Sequence, residues 1–236
     1  MDGAENFYKR TIYPEIGRQI DRVRFCRGYS RLEVAKGISI SNVRLNEIIN
    51  GKYNPKVEVL DKIAEFLDVP SDYLLIQIHP DFILYAIDDY IYRITPEDLN
   101  GAFCDLGMLL GGLHDTNLTN SASTPIGDSE AGPPVSQREK LRFFRGNIGY
   151  TQAQTAEAIG VSYNHYAKYE NGFTLFSLPV HLHMCQLFQK PSECITKEDR
   201  MDTALMPKQL DVLRQMETDR LIRLLETLRV FYEKSK

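Results

Sequence analysis

The chain has 236 residues, which is long enough for two small domains and additional helices, and 43% of the residues are hydrophobic. Its four cysteines are scattered without a disulfide spacing, which predicts a reducing compartment. The first residues lack the apolar core of a signal peptide, and no apolar run is long enough to cross a membrane. We therefore expect a cytoplasmic protein without a membrane partner.

The formal net charge of −4 is unevenly distributed along the chain. Residues 1–75 carry +1 and residues 137–236 carry +3, whereas residues 76–136 carry −8. Attraction of a charged partner depends on the field within about 8–10 Å of the contact, not on the sum over the chain. The two outer segments are therefore compatible with nucleic-acid binding, with a modest non-specific affinity.

The most informative stretch is Thr151–Gly172, which reads TQAQTAEAIGVSYNHYAKYENG. Thr151 can cap a first helix, and Gly160 permits a left-handed turn after it. Ser162 can cap a second helix, which ends at the pair Asn171-Gly172. The stretch therefore predicts two short helices joined by a tight turn.

A second copy of this pattern lies at Ser30–Gly51, SRLEVAKGISISNVRLNEIING, displaced by 121 positions. The same displacement relates Arg24 to Arg145, Gly28 to Gly149, Tyr29 to Tyr150, Ala35 to Ala156, Val59 to Val180, and Pro70-Ser71 to Pro191-Ser192. A displacement that stays constant over such a length indicates an internal repeat. We predict two copies of one five-helix unit, over residues 1–75 and 137–195.

Both copies resemble the Cro/CI or XRE-type helix–turn–helix domains of phage repressors and bacterial regulators. The opening T-Q, the turn G-V-S and the exit Y-E-N-G of the second copy carry the resemblance. The first copy departs from the family pattern at Arg31, where Gln is usual, and at Ser39, where the turn Gly is usual. The second copy departs at Thr155, where a Leu-like residue is usual. The resemblance implies an all-α fold with two lambda-repressor-like five-helix domains.

The remaining segments predict a helical connector, a linker and a long last helix. The connector, residues 76–114, places one apolar face on a first helix, formed by Phe82, Ile83, Ala86, Ile87, Tyr90 and Ile91, and a second helix is expected over 96–113. Residues 115–136 are rich in Ser, Thr, Gly and Pro, which is typical of a mobile linker. Residues 196–236 are expected to form one long helix over 207–232.

That last helix carries an apolar stripe of Leu221, Leu224, Leu228 and Phe231, at spacings of 3, 4 and 3. The stripe can pack on the connector of its own chain or form a seam with a second chain. Because the resemblance implies frequent dimerisation, we expect a homodimer with these four residues in its interface.

The resemblance also implies that the helix after the turn enters the DNA major groove, with its first residues facing the bases. The candidates for base contacts are Asn42, Val43, Arg44 and Glu47 in the first copy and Tyr163, Asn164, His165 and Lys168 in the second. Asn suits adenine, Arg and Lys suit guanine, and Glu suits the cytosine amino group. Phosphate contacts are expected from Arg31, Ser41, Asn50, Lys52, Gln152, Ser162 and Asn171.

These features predict a sequence-specific DNA-binding regulator of transcription, whose partner is double-stranded DNA and which needs no cofactor. Because the two recognition helices differ, we expect an asymmetric operator. No nucleophile with a base, no phosphate-binding Gly loop and no carboxylate pair indicates an enzyme. One alternative is a protein-interaction module of antitoxin or anti-repressor type, in which a degenerate helix–turn–helix serves as a scaffold. Another is a small-molecule sensor built on Tyr85, Tyr90, Tyr92 and Phe103.

One cluster of side chains suggests a metal site. His181, His183 and Cys185 lie close together and could be joined by Cys194. Their spacing fits no zinc signature, and Val180, Met184, Cys185 and Phe188 instead match the core face of the first copy. We interpret the cluster as core packing and predict no metal.

Overall fold

The computed structural model describes residues 7–94, 136–174, 176–197, 200, 204–205, 207–234 and 236. Every regular element within these ranges is helical, which confirms the all-α prediction. No helix in these ranges is both long enough and apolar enough to cross a membrane. The helix expected over 96–113, and all but the last residue of the linker expected over 115–136, lie outside the described residues.

The first unit follows a π-helical turn at Tyr8–Ile12. Its elements are α1 (Tyr13–Cys26), α2 (Arg31–Gly37), α3 (Asn42–Ile49), α4 (Val57–Phe66) and a 3₁₀ helix (Ser71–Leu74). Helix α1 buries Ile16, Ile20 and Val23 at helical spacing, as the sequence pattern predicts. Gly17 lies where α1 meets the end of α3, since a Cβ there would be 2.1 Å from the carbonyl oxygen of Ile49. This close approach positions α3 on the surface of the unit.

The second unit repeats this order. Its elements are α6 (Gln137–Asn147), α7 (Gln152–Ala158), α8 (Tyr163–Glu170), α9 (Leu178–Phe188) and α10 (Ser192–Thr196). Ser136, at the end of the expected linker, caps α6 in a capping box with Glu139. Thr151 caps α7 in the same way, as Ser30 caps α2. Both units therefore begin their turn motif with the same backbone arrangement.

The backbone itself repeats at the 121-residue displacement. Four positions of positive φ recur in pairs: Gly28 (76°) and Gly149 (70°), Ser39 (59°) and Gly160 (72°), Gly51 (68°) and Gly172 (73°), and Asp68 (56°) and Gln189 (52°). Ser39 therefore keeps the left-handed turn that a glycine forms in the second unit, at some conformational cost. The first motif is strained at this residue but is not reshaped.

Helix α5 (Pro80–Arg93) lies at the centre of the molecule and is buried continuously from Phe82 to Tyr90. The 3₁₀ helix, α11 (Pro207–Arg214) and α12 (Thr218–Lys234) pack against it. The expected apolar face is therefore buried, but it is not the only covered side of the helix, because Leu84 and Tyr85 are buried as well. Its acidic residues Asp88 and Asp89 are fully buried.

Arg200 compensates this buried charge. Its guanidinium donates to Asp88 Oδ2 at 2.6 Å, to Glu193 Oε2 at 3.2 Å and to Asp89. Asp88 also accepts hydrogen bonds from the backbone N–H groups of Ala204 and Leu205, at 3.2 and 2.7 Å. Buried carboxylates need this degree of pairing, and the network joins α5 to the second unit.

The single helix expected over 207–232 is wrong, because the structure forms two helices, α11 and α12, interrupted at residues 215–217. The backbone N–H groups of Arg220 and Leu221 donate to the carbonyl oxygen of Glu217 and start α12. Asp219 in its first turn favours a new helix start there, because an acidic side chain interacts favourably with a helix N-terminus.

Candidate nucleic-acid interface

The helix after the turn begins at a serine cap in both units. The Ser41 hydroxyl accepts from the N–H of Arg44 at 3.1 Å, and the Ser162 hydroxyl accepts from the N–H of His165 at 3.3 Å. Both serines remain exposed. These caps fix the residues at which α3 and α8 begin. They therefore determine which side chains lie in the first turn of each helix, here called the leading turn.

The leading turn of α8 presents its side chains to solvent. Tyr163, Asn164, His165 and Lys168 are exposed, whereas Tyr166, Tyr169 and Glu170 are buried on the opposite face. His165 stacks on Tyr169 with ring centroids 4.8 Å apart, and its Nε2 lies 3.2 Å from the Tyr169 hydroxyl. The four predicted base-contacting residues thus share one surface, with His165 already oriented by a neighbour.

The leading turn of α3 has the same exposure. Asn42, Val43 and Arg44 are exposed and Glu47 is partly buried, with Val43 69% accessible. Arg44 Nη1 donates to Glu47 Oε2 at 3.0 Å, and its guanidinium lies 3.9 Å from the centre of the Tyr53 ring. An exposed Val has no packing role, but a thymine methyl group is a suitable contact for it.

In each unit an ion pair between an acidic residue and an arginine stabilises the turn motif. The acidic residue lies at a different position of the repeat in the two units. In the first unit Asp21 on α1 accepts from Arg24 at 2.7 Å and from Arg31 at 2.8 Å. Hydrogen bonding from Arg31 lowers the pKa of Asp21. In the second unit the acid is Glu170 on α8, which accepts from Arg145 at 2.9 and 3.0 Å.

Glu170 remains ionised in its ion pair with Arg145. Burial opposes its ionisation, but the hydrogen bonds from Arg145 and Gln152 lower its pKa on balance. Arg31 and Gln152, both predicted phosphate contacts at equivalent positions, are therefore each bonded to the acid of their unit. A phosphate contact by either residue has to compete with that bond.

The exit from α8 is more basic than the exit from α3. Arg142 Nη2 donates to Asn171 Oδ1 at 3.0 Å, and Arg138 Nη2 donates to the Asn171 carbonyl oxygen at 2.8 Å. Arg138 and Arg142 are exposed, and sequence reasoning missed both as candidate phosphate contacts. The repeat displacement places them opposite Gly17 and Asp21 of the first unit, and this charge difference was the available signal. Asn50 and Lys52 at the other exit are exposed.

A family model described as helix–turn–helix matches the chain twice, over residues 27–74 and 141–182. The first range contains α2, α3, α4 and the 3₁₀ helix, and the second contains most of α6, all of α7 and α8, and the start of α9. The chain carries two helix–turn–helix domains. They are of the Cro/CI, XRE type, which confirms the resemblance read from the sequence. No curated protein and no solved structure matches the chain.

The apolar stripe of the last helix is covered within the chain. Leu221, Leu224 and Leu228 on α12 are buried, and α12 packs along α5 below the first helix–turn–helix domain. Phe231 is partly buried against the same core. Of the two alternatives for this stripe, the structure forms the contact within one chain. The prediction of a dimer seam is therefore wrong for the three leucines, because α5 already occupies the surface that a second chain would need.

The His and Cys residues of α9 lie in the core of the second helix–turn–helix domain or at its edge. His181 Nε2 is 2.7 Å from Ser192 Oγ and 3.5 Å from Cys185 Sγ, and burial lowers the pKa of His181 to about 4. His183 Nε2 instead lies 2.9 Å from the Tyr8 hydroxyl. Among the described residues, no three His, Cys, Asp or Glu side chains are grouped as metal ligands. Val180, Met184, Cys185 and Phe188 are buried, which confirms the packing interpretation.

The aromatic residues considered for a sensor pocket differ in their exposure. Tyr85 and Tyr90 are buried in the core, with the Tyr85 hydroxyl donating to the Cys185 carbonyl oxygen at 3.3 Å. Tyr92 is exposed and covered on one face by the Arg200 guanidinium, 4.5 Å from the ring centre. Phe103 lies outside the described residues. Tyr85 and Tyr90 therefore act in packing.

Proposed function

We propose that the protein is a sequence-specific DNA-binding regulator that reads two different major-groove half-sites, one with α3 and one with α8. The observation that carries this proposal is the exposure of the leading side chains on both recognition helices. Seven of the eight predicted base-contacting residues are exposed, and Glu47 is partly buried. Exposed Asn, Arg and Lys occur on any solvated helix, but at the leading positions of this motif they match the edges of adenine and guanine, and Val43 suits a thymine methyl.

The second domain contributes more of the electrostatic attraction to DNA. Arg138, Arg142 and Lys168 lie at the start or exit of its motif and are exposed, and Arg142 also pairs with Glu170. The equivalents of Arg138 and Arg142 in the first domain are Gly17 and Asp21, so that domain has fewer cations at the same place. Neutralising phosphates releases counterions and makes binding depend steeply on salt. Substitution of Arg142 should therefore reduce the affinity for all sequences alike, because phosphate contacts carry no base information.

The two half-sites have different sequences. Asn164 and Lys168 of α8 suit adenine and guanine, whereas Asn42, Val43 and Arg44 of α3 suit adenine, a thymine methyl and guanine in another order. An operator read by both helices is therefore asymmetric. Each contact of this kind accounts for about 1–3 kcal/mol of discrimination against the wrong base.

Selection of bound fragments from random double-stranded DNA at low salt, followed by sequencing, tests the proposal. We expect two enriched motifs of different sequence. Asn164→Ala should erase the preference at one or two positions of one motif, and Arg142→Ala should leave both motifs intact while weakening all binding. Lys234→Ala, at an exposed site near the end of α12, is the matched control and should change neither property.

The scaffold alternative makes the opposite prediction. If the full-length chain retains no DNA of any sequence at low salt, the helix–turn–helix domains do not read DNA and a protein partner must be sought. If DNA is retained but Asn164→Ala and Asn42→Ala leave the enriched motifs unchanged, binding does not use the recognition helices. Either result overturns the proposed function.

A further inference from the structure

The two helix–turn–helix domains contact each other through equivalent residues. Lys56 and Ser177 form an isolated antiparallel bridge, and these two positions are related by the 121-residue displacement of the repeat. In an isologous contact a residue meets its own equivalent only where the two-fold axis passes. An antiparallel bridge has such a local axis, because rotation by half a turn exchanges its two strands.

The same relation holds for the last helix of each domain. The 3₁₀ helix Ser71–Leu74 packs against α10, which begins at the equivalent Ser192. The N–H of Ser192 donates to Asp72 Oδ2 across this contact at 2.8 Å. Within its own domain, each serine hydroxyl bonds to the preceding helix, Ser71 with Asp61 at 2.6 Å and Ser192 with His181 at 2.7 Å. Two independent contacts therefore relate the domains by one approximate two-fold axis.

The contact with Glu193 departs from this symmetry. Glu193 is equivalent to Asp72, but it bonds to Arg93, Lys197 and Arg200 instead of to the N–H of Ser71. Helix α5 supplies Arg93, whereas the residue at the equivalent position of α11, Arg214, pairs with Asp211. Glu193 is thus paired within the chain, by Arg93 from the connector and by Lys197 and Arg200 from the segment that follows α10.

The bridge between Lys56 and Ser177 also limits the distance between the two recognition helices, α3 and α8. Lys56 lies seven residues after Ile49 at the end of α3, and Ser177 lies seven residues after Glu170 at the end of α8. An extended chain of that length spans at most about 25 Å and the bridge adds about 5 Å, so the two helix ends lie within about 55 Å of each other. This range includes the 34–36 Å that separates successive major grooves on one face of DNA. A two-fold relation inverts one recognition helix with respect to the other, which is the arrangement that two inverted half-sites require.

We propose that one chain is a covalently joined counterpart of a repressor dimer, and that its partner is a single DNA duplex with two inverted, non-identical half-sites one helical turn apart. The proposal rests on the proposed function and specifies the orientation, spacing and stoichiometry of its site. One chain per duplex suffices, because both halves of the reading surface are present in it. The homodimer expected from the sequence is not required for this mode of binding.

Operators with altered spacers test this arrangement with the full-length protein. The selected motifs are placed as inverted repeats, as direct repeats, and as inverted repeats lengthened by half a turn (about 5 bp) or a whole turn (about 10 bp). Affinity is measured by titration, and the number of chains per duplex by native mass spectrometry. We expect one chain on the inverted repeat, and a loss of about tenfold or more for every other arrangement because one half-site is then missed.

The whole-turn insertion separates this proposal from two domains joined loosely. Loosely joined domains would follow the half-site to the next turn and keep their affinity, whereas domains fixed about an axis lose it. Retained affinity after this insertion, a preference for direct repeats, or two chains per duplex would each overturn the inference and leave the proposed function standing. Absence of DNA binding to any arrangement at low salt would instead overturn the proposed function itself.

Discussion

At the scale of single residues, Ser39 and Gly160 occupy the same turn with φ of 59° and 72°. A residue with a Cβ loses roughly 1–2 kcal/mol in the left-handed region, whereas glycine does not. The sequence comparison between the two copies identified Ser39 as a departure, and the structure shows that the fold tolerates the cost. The turn contributes no contact that would explain the serine.

Exchange of these two residues tests the strain. Ser39→Gly should raise the free energy of unfolding by about 1 kcal/mol, since part of the relief is offset by the greater freedom of glycine in the unfolded chain. Gly160→Ser should lower it by a similar amount, because a Cβ there meets no atom within 4 Å and only the backbone cost remains. Urea unfolding measures both; equal stabilities for the wild type and Ser39→Gly would refute the strain.

Asp72 makes stability depend on pH. Its side chain is fully buried where the two domains meet, and burial, followed by the neighbouring Asp89, raises its pKa well above the ordinary value. The folded state therefore holds a proton that the unfolded state releases above about pH 4. A raised carboxyl pKa stabilises the protein at low pH, and this contribution is lost as the pH rises through the folded-state pKa.

Asp72→Asn keeps an acceptor for the N–H of Ser192 and a donor toward Asp89, but does not titrate. We expect it to flatten the fall in unfolding free energy above about pH 4, by up to about 1.4 kcal/mol per pH unit. Asp72→Ala should instead destabilise at every pH by about 1–3 kcal/mol, because the N–H of Ser192 loses its partner. Parallel pH profiles for the wild type and Asp72→Asn would contradict this assignment.

At the scale of elements, periodicity and caps predicted α1 to α4 and α6 to α10 because those signals are local. The capping serines and threonine, the Asn-Gly exits and the apolar spacing all act within one or two turns of chain. Local pattern predicted a helix at α5 but not its burial on both sides, and it joined α11 and α12 into one helix. The burial of α5 on both sides, and the surface that covers the leucines of α12, depend on contacts between these two helices. The helices lie more than a hundred positions apart in the chain.

The packing of α12 on α5 gives a matched pair of variants. Leu228 is fully buried, whereas Val230, two residues later on the same helix, is 40% exposed. Leu228→Ala should reduce the free energy of unfolding by about 2–5 kcal/mol through lost burial and a cavity. Val230→Ala should change it by no more than about 0.5 kcal/mol. Similar small effects for both would show that the leucine stripe is not covered within the chain.

At the scale of the whole molecule, the repeat in the sequence predicted two domains but not their relation. Arg200 has no motif around it, yet it bonds to Asp88, Asp89 and Glu193 and joins the connector helix to the second domain. The bridge between Lys56 and Ser177 also has no local signal, because only the folded chain brings equivalent residues together. The exposure of the candidate recognition residues was predictable because the helix–turn–helix frame fixes their positions locally.

Hydroxyl-radical footprinting of the full-length chain on its selected operator tests the central claim, that one protein reads DNA with two different helices. The account predicts two protected segments on one face of the duplex, about one helical turn apart. Asn42→Ala should weaken one segment and Asn164→Ala the other. Protection of a single segment by the wild type, or loss of both segments with either variant alone, would contradict the account.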